Sequence, residues 1–342
     1  GVQTCALPIC LKEMEVVPMK KLVLIALALV LVAVSSFAMA DTLKIGFAQV
    51  GHESDWRAAN TLDYQTTFTE ENGYELLFVD ADNDHTKQME AVRNFINQEV
   101  DYIVICPVQE AGWEVVLQEA KDAGIPVIIA DRTVSADPSL YATFIGTDTA
   151  LEGETAGKWL AEQLKGAEAN ILVIEGSVGA SAAIGRTNGF NKIAGEHAEW
   201  KIIDSQCGDF TQAGGQQVME SYLKSYPGQF NVVVCQNDNE AYGAMDAMKA
   251  AGVTYGEKGD VILISFDATK EGLTRTLAGE INCDVECNPL QAKGVAEIIQ
   301  KLEAGEEVPS VTIVPDEAFV APSITSEFAN TMTQEILDGR AY

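Results

Sequence analysis

Residues 43–106 read LKIGFAQVGHESDWRAANTLDYQTTFTEENGYELLFVDADNDHTKQMEAVRNFINQEVDYIVIC. Leu43–Gln49, Tyr74–Asp80 and Tyr102–Cys106 are short, largely apolar runs of strand character. Between them, Asp55–Glu71 and Thr86–Gln98 are amphipathic segments of helical period, and Gly73 falls where the first of these must end. Strand, helix, strand, helix, strand is the rhythm of an α/β sheet, and strands that are apolar throughout imply a parallel sheet covered on both faces.

Working outward, the same rhythm continues. Trp113–Ala123 reads as helix, Pro126–Ala130 as strand and Ala142–Gly146 as an extended segment, with Gly124 and Pro126 as punctuation. It then restarts. Helices are expected at Leu151–Leu164, Ala182–Glu196, Gln212–Ser225, Asn239–Ala251, Thr269–Ala278 and Leu290–Ala304. The intervening strands are Asn170–Glu175, Lys201–Gln206, Val232–Cys235, Val261–Phe266 and Asn282–Cys287, and Val311–Val314 is the last clear one. Two successive runs predict two lobes, each with its own sheet.

Upstream, Met19-Lys20-Lys21, the apolar run Leu22–Val34 and the small-x-small pattern Ala38-Met39-Ala40 follow the order of a secretory signal peptide. Cleavage is expected after Ala40, and the protein is expected to be periplasmic or secreted. The apolar run is short of the ~20 residues that span a bilayer. Residues 1–18 are expected to be an upstream extension or artefact.

The whole chain carries 22 basic and 51 acidic residues; the first forty hold three and two of these, so the expected mature chain has a net charge of −30. Such acidity excludes nucleic acid, whose phosphates demand a basic face, and favours a neutral or cationic ligand. Five cysteines remain after Ala40 (Cys106, Cys207, Cys235, Cys283 and Cys287), too few and too irregular for a disulfide framework. Cys283 and Cys287 would lie ~13 Å apart in a strand, too far to bond; one bridge such as Cys207–Cys235 is left open.

Open α/β sheets bind ligands beyond the carboxyl ends of their strands, and polar residues gather at those ends. Gln49 through Arg57 follows the first strand, and Asp131-Arg132 ends the fourth. Arg186 follows Asn170–Glu175, Phe210 follows Lys201–Gln206, Asn237-Asp238 follows Val232–Cys235, and Asp267 ends Val261–Phe266. Both halves of the chain contribute, as a cleft between lobes requires.

These segments resemble the periplasmic sugar-binding proteins of the ribose and galactose class. The likeness covers Thr42–Tyr342 and rests on Ile129-Ala130-Asp131-Arg132, Gly189-Phe190 after Arg186, Gln236-Asn237-Asp238 and Ser265-Phe266-Asp267. Gln49-Val50-Gly51 followed by Glu53-Ser54 and Trp56-Arg57, with Cys106-Pro107-Val108, Gly112-Trp113-Glu114 and Gly208-Asp209-Phe210-Thr211, is most similar to the galactofuranose-binding proteins within that class. The resemblance implies a type I periplasmic-binding-protein fold with a three-stranded hinge near Gly146, Cys287 and Pro315. It implies an N-terminal lobe of residues 41–146 and 288–315 and a C-terminal lobe of 147–287 and 316–342. It also implies a monomeric receptor that hands a monosaccharide to the membrane permease of an ABC importer, with no cofactor. Carried over by motif, Trp56, Arg57, Asp131, Arg132, Arg186, Phe210, Asn237 and Asp267 line the sugar site, with Glu53 and Ser54 beside them.

The chemistry suits a sugar. Carboxylates accept from hydroxyls, guanidinium groups donate to them, and an amide does both; charge-assisted bonds are the strong ones. Trp56 and Phe210 offer faces to the C–H patches of a ring. Each residue also has a plainer alternative. Asp131-Arg132 can be a surface ion pair, Asn237 a helix N-cap, Asp267 the cap of the helix near Thr269, and Trp56 and Phe210 ordinary core. Trp113 reads as packing at a helix start.

Other motifs fail. Gly153-Glu154-Thr155-Ala156-Gly157-Lys158 is one residue short of a phosphate-binding loop and ends in Trp159. Gly176-Ser177-Val178-Gly179 does not match a nucleophile elbow. His52, His85 and His197 are too scattered for a metal site or triad, and Asp80, Asp82 and Asp84 read as a solvated turn. Two other functions remain in view: a sensor that presents sugar to a membrane chemoreceptor or kinase, and a secreted enzyme, which would need an acid and a base flanking a scissile bond.

Overall fold

The computed structural model describes residues 1–2 and 42–342; apart from Gly1 and Val2, the expected upstream extension 1–18 and signal peptide 19–40 lie outside the described residues. Two sheets organise the chain from Thr42 onward. The first has β1 (Leu43–Gln49), β2 (Tyr74–Asp80), β3 (Tyr102–Ile105), β4 (Val127–Ala130), β5 (Thr143–Gly146) and β11 (Val311–Ile313), in the order β11-β5-β4-β3-β1-β2. All of its pairings are parallel. The residues of β3 and β4 are buried throughout, because helices cover both faces. One face packs Phe47, Tyr64 and Ile299, the other Phe95, Ile103 and Trp113.

The second sheet has β6 (Ala169–Glu175), β7 (Trp200–Cys207), β8 (Val232–Cys235), β9 (Ile262–Asp267), β10 (Cys283–Glu286), β12 (Ala318–Val320) and β13 (Asn330–Thr331), in the order β13-β12-β10-β9-β8-β6-β7. It departs from an all-parallel sheet at one edge, where β12 runs antiparallel to β10. β12, β13 and the short C-terminal helix Gln334–Gly339 follow the last strand expected from the sequence.

The helices that bear on the site are α1 (Asp55–Thr67), α2 (His85–Asn97), α3 (Glu114–Asp122), α4 (Thr149–Leu164), α5 (Ser181–Ala194), α6 (Gln212–Ser225), α7 (Asp238–Ala250), α8 (Lys270–Leu277) and α9 (Ala292–Glu303). The chain passes between the sheets three times: after Gly146, between Glu286 and Ala292, and between Ile313 and Ala318. α9 packs into the core of the first lobe although it follows a strand of the second.

Three sequence features find plain structural roles. Gly153 and Gly157 are interior positions of α4 packed against α5, where a Cβ on Gly153 would stand 2.3 Å from the Arg186 carbonyl oxygen. Asp84 caps α2, accepting from the Thr86 and Lys87 N–H groups, and Asp82 pairs with Lys87. Cys207 and Cys235 are free thiols, so the pairing left open by the sequence is not made. No helix among the described residues is long and apolar enough to cross a membrane.

Candidate functional site

The ten residues carried over by motif line one space of about 280 Å³, open solvent included, between the two sheets, together with Ala182 and Cys287. A larger groove of about 1130 Å³ beside the third chain passage is open to solvent and bounded by Asp148, Glu152, Asp316 and Glu327 without an arginine; the convergent ions and rings are in the smaller space.

In the first lobe, the Ser54 hydroxyl caps α1 by accepting from the Arg57 N–H at 3.1 Å, which sets Trp56 and Arg57 in the opening turn. The Arg57 side chain donates to Glu53 Oε1 at 3.1 Å, Gln49 Oε1 at 3.1 Å and Asp131 Oδ2 at 2.8 Å. Its guanidinium lies 4.6 Å from the Trp56 ring, whose indole N–H donates to the Cys287 carbonyl. Arg132 reaches Glu53 Oε1 at 3.5 Å and the Val108 carbonyl at 3.3 Å. Burial opposes the Arg57 charge, but Asp131 and Glu53 outweigh it and hold the group firmly protonated. Burial likewise opposes the Glu53 charge, and Arg57 and Arg132 keep its carboxyl below the usual range. Glu53 Oε2 is buried with no partner among the described residues.

In the second lobe, Arg186 donates from Nε to Glu152 Oε2 at 2.7 Å, from Nη2 to Asp267 Oδ1 at 3.1 Å, and from Nη1 to the Gln236 carbonyl. Glu152 can approach because α4 and α5 nearly touch: a Cβ on Gly189 would stand 2.0 Å from the Ala150 carbonyl oxygen. Burial opposes the Arg186 charge, and Glu152 and Asp267 overcome it. Phe210 is held at both ends, its N–H donating to Glu240 Oε1 at 2.9 Å and its carbonyl accepting from Asn237 Nδ2 at 2.9 Å. Asn237 also caps α7 through the Glu240 N–H at 2.8 Å, so the N-cap role and a place in the cavity coexist. Asp267 is not a cap; Thr269 caps α8.

Asp131, Phe210 and Asp267 take φ values of 64°, 59° and 102°, a region that side-chain-bearing residues rarely enter and that costs of order 1–3 kcal/mol each. That strain turns their side chains into the cavity.

The cleft is closed. Trp56 is 3% exposed, Asp131 5%, Arg186 3% and Asp267 4%. The lobes touch directly across it: the Asp55 N–H donates to Asn239 Oδ1 at 3.0 Å, the Thr133 N–H to Ser181 Oγ at 2.8 Å, and the Glu110 N–H to the Gly179 carbonyl at 2.9 Å. The Arg132 guanidinium lies 5.3 Å from the Phe210 ring. Among the described residues every ion pair of the cavity stays within its own lobe.

Sequence reasoning missed Glu152, which sits inside an ordinary amphipathic helix, and Cys287, read only as a crossing point. It also passed over the buried acids Glu240 and Asp284, and named Asp238 at a strand end without a role. A carboxylate inside a helical or strand run carries no local sign of burial.

Two α/β lobes linked by three chain passages, closed over a cavity of paired ions and aromatic rings, define a two-lobed ligand-capturing protein. The chain belongs to the periplasmic binding protein family: the model described as "Periplasmic binding protein domain" matches residues 45–307. It is 38% identical over 307 residues to the galactofuranose-binding protein YtfQ of Escherichia coli strain K12, covering 89% of this chain and 96% of that one. A Mycobacterium smegmatis protein solved with β-D-fucofuranose is 46% identical with a TM-score of 0.78, covering 81% of this chain and 91% of that one. The binding component of the arabinose ABC transporter of Shewanella sp. ANA-3, solved with α- and β-L-arabinofuranose, is 37% identical with a TM-score of 0.78, over 81% and 91%.

Proposed function

We propose that this chain is the substrate-binding component of an ABC-type sugar importer, and that it captures galactofuranose or a similar aldose in furanose form by closing its lobes. The observation that carries the reading is the pairing of Arg57 with Asp131 in one lobe and Arg186 with Asp267 in the other, around one buried cavity flanked by Trp56 and Phe210. Each aspartate gives one oxygen to its arginine, and among the described residues the other oxygen has no side-chain donor. Two acceptors, the remaining N–H groups of the arginines and the partnerless Glu53 Oε2 suit a ring of neighbouring hydroxyls. Trp56 and Phe210 suit its C–H faces.

The relatives support the ring form. D-Galactofuranose, D-fucofuranose and L-arabinofuranose share one configuration around the ring and differ in the exocyclic tail. Capture involves no chemistry on the sugar. The protein is exported, matured after Ala40, works as a monomer and docks on a membrane permease, with the three passages near Gly146, Cys287 and Pro315 acting as the hinge.

The test is thermal unfolding and calorimetric titration with D-galactose, D-fucose and L-arabinose, whose solutions contain furanose forms at equilibrium. A rise in Tm at micromolar furanose is expected. No shift with any sugar of a broad panel at millimolar concentration would overturn the reading.

A further inference from the structure

Behind the second-lobe wall of the cavity lie two aspartates that no sugar contact explains. Asp238 opens α7, and Asp284 stands in β10 in register with Ser265 of β9; both are 0% exposed. Asp238 is supplied with donors on both oxygens: Ser265 Oγ at 2.6 Å on Oδ1, and the Thr269 N–H at 2.9 Å and Thr269 Oγ1 at 2.6 Å on Oδ2. The Thr269 oxygen is itself a receiver, from the Gly272 N–H at 3.2 Å and beside the Tyr242 hydroxyl at 3.1 Å, so its own proton goes to Asp238. Burial raises the Asp238 carboxyl, and these donors oppose burial by favouring the ionised form.

Asp284 differs. Its Oδ1 accepts from the Ala268 N–H at 3.1 Å, and its Oδ2 is buried with no donor among the described residues. The two carboxyl groups meet at the same turn: they accept from the successive N–H groups of Ala268 and Thr269, and Ser265, which donates to Asp238, stands beside Asp284 in the sheet. Carboxyl groups brought together in this way repel unless a proton lies between them.

We infer that Asp284 is a protonated acid that donates to Asp238, and that this pair is a positioning device for Asp267. The turn after β9 has φ 102° at Asp267 and 49° at Ala268. Its next two N–H groups are gripped one by each partner: Ala268 by Asp284 and Thr269 by Asp238. The pair therefore holds the turn whose first residue lines the cavity.

Among the described residues, the surroundings leave no cation to neutralise a second charge. Arg186 of α5 is already engaged by Glu152 of α4 and Asp267 of β9. Tyr242 and Glu240 of α7 and Cys283 of β10 add no positive charge. Arg275 of α8 lies over the Tyr242 ring at 4.7 Å, and Arg340 lies over Phe319, the β12 neighbour of Asp284, at 5.0 Å, paired with Glu286. Burial, reinforced by the Asp238 charge, drives the Asp284 carboxyl well above the usual range. Because the acid form is the one that grips, the clamp is complete below that point and is lost as pH rises through it.

Its effect on ligand rests on the sugar reading; the proton itself does not. The experiment compares wild type, Asp284→Asn and Asp284→Ala by infrared difference spectroscopy at neutral pH and by titration with D-galactose at neutral and alkaline pH. An asparagine there still accepts from Ala268 and donates to Asp238, with nothing to titrate. Wild type minus D284N should show a carboxylic-acid carbonyl band. D284N should bind within about twofold of wild type at neutral pH and keep that affinity in alkali, where wild type weakens by about tenfold or more. D284A should lose about tenfold or more at both. Absence of the acid band, alkaline weakening of D284N in step with wild type, or undiminished binding by D284A overturns the proposal. An acid band in a protein that binds none of the sugars would overturn the sugar reading alone.

Discussion

Glu152 and Arg186 stand 34 residues apart in sequence, yet meet at 2.7 Å inside the second lobe. The carboxylate also accepts from Thr147 Oγ1 at 2.7 Å, which ties the arginine to the chain just beyond the first passage between the sheets. Replacing Glu152 by Ala strands part of a buried cation. It is expected to lower the free energy of unfolding by about 3 kcal/mol, read by urea titration, and to weaken sugar binding. Gln, whose carbonyl can still accept from Arg186 while its amide donates to the Thr147 hydroxyl, should recover part of the affinity.

Asp131→Ala is expected to weaken sugar binding by roughly 10- to 100-fold, from the ~1.5–3 kcal/mol of one charged hydrogen bond, while the protein still folds. Arg57 retains Glu53 as a counter-ion, so the cation is not left bare. Affinity by calorimetry, alongside circular dichroism, checks both halves of the statement. Unchanged affinity would remove Asp131 from the site.

Gly176 is the floor under Phe210: a Cβ there would stand 1.9 Å from the ring. Gly176→Ala should displace the ring at about 1–3 kcal/mol, the usual cost of overpacking. The expected readout is a loss of affinity larger than the loss of Tm predicts, because the displaced group faces the ligand.

Asp316 lies at the third passage, accepting from the Asn288 N–H at 2.9 Å. Burial, with the Glu152 charge behind it, pushes its carboxyl up to about 9. The folded protein thus keeps a proton that the unfolded chain releases near ~4. The contribution of this group to stability falls as pH rises from ~4 to about 9 and is level beyond. Asp316→Asn removes that fall. Its Tm should match wild type near pH 4 and exceed it increasingly towards pH 9; a constant offset would refute the account.

Much of this site was legible because open sheets place ligands at strand ends, and Asp131, Arg186, Asn237 and Asp267 follow strands that apolar runs make plain. The backbone strain at Asp131, Phe210 and Asp267 was not legible, since nothing local distinguishes a left-handed aspartate from an extended one. Glu152 and Asp284 were hidden for a related reason: helical and strand periodicity assigns a face but not the depth of what covers it. β12 and β13, of three and two residues, are too short to leave a pattern. Asp267 as the cap of α8 was only the plainer alternative to its place in the site; Thr269 fills that role, and the turn between them decides.

Each jaw of this molecule answers its own cations. Arg57 and Arg132 are answered by Glu53 and Asp131 on one side, and Arg186 by Glu152 and Asp267 on the other. Parting the jaws therefore breaks no ion pair of the cavity, and dissolved ions act on closure chiefly by screening the overall acidic charge of the chain. A receptor built this way should grip its cargo at least as firmly in brine as in fresh water.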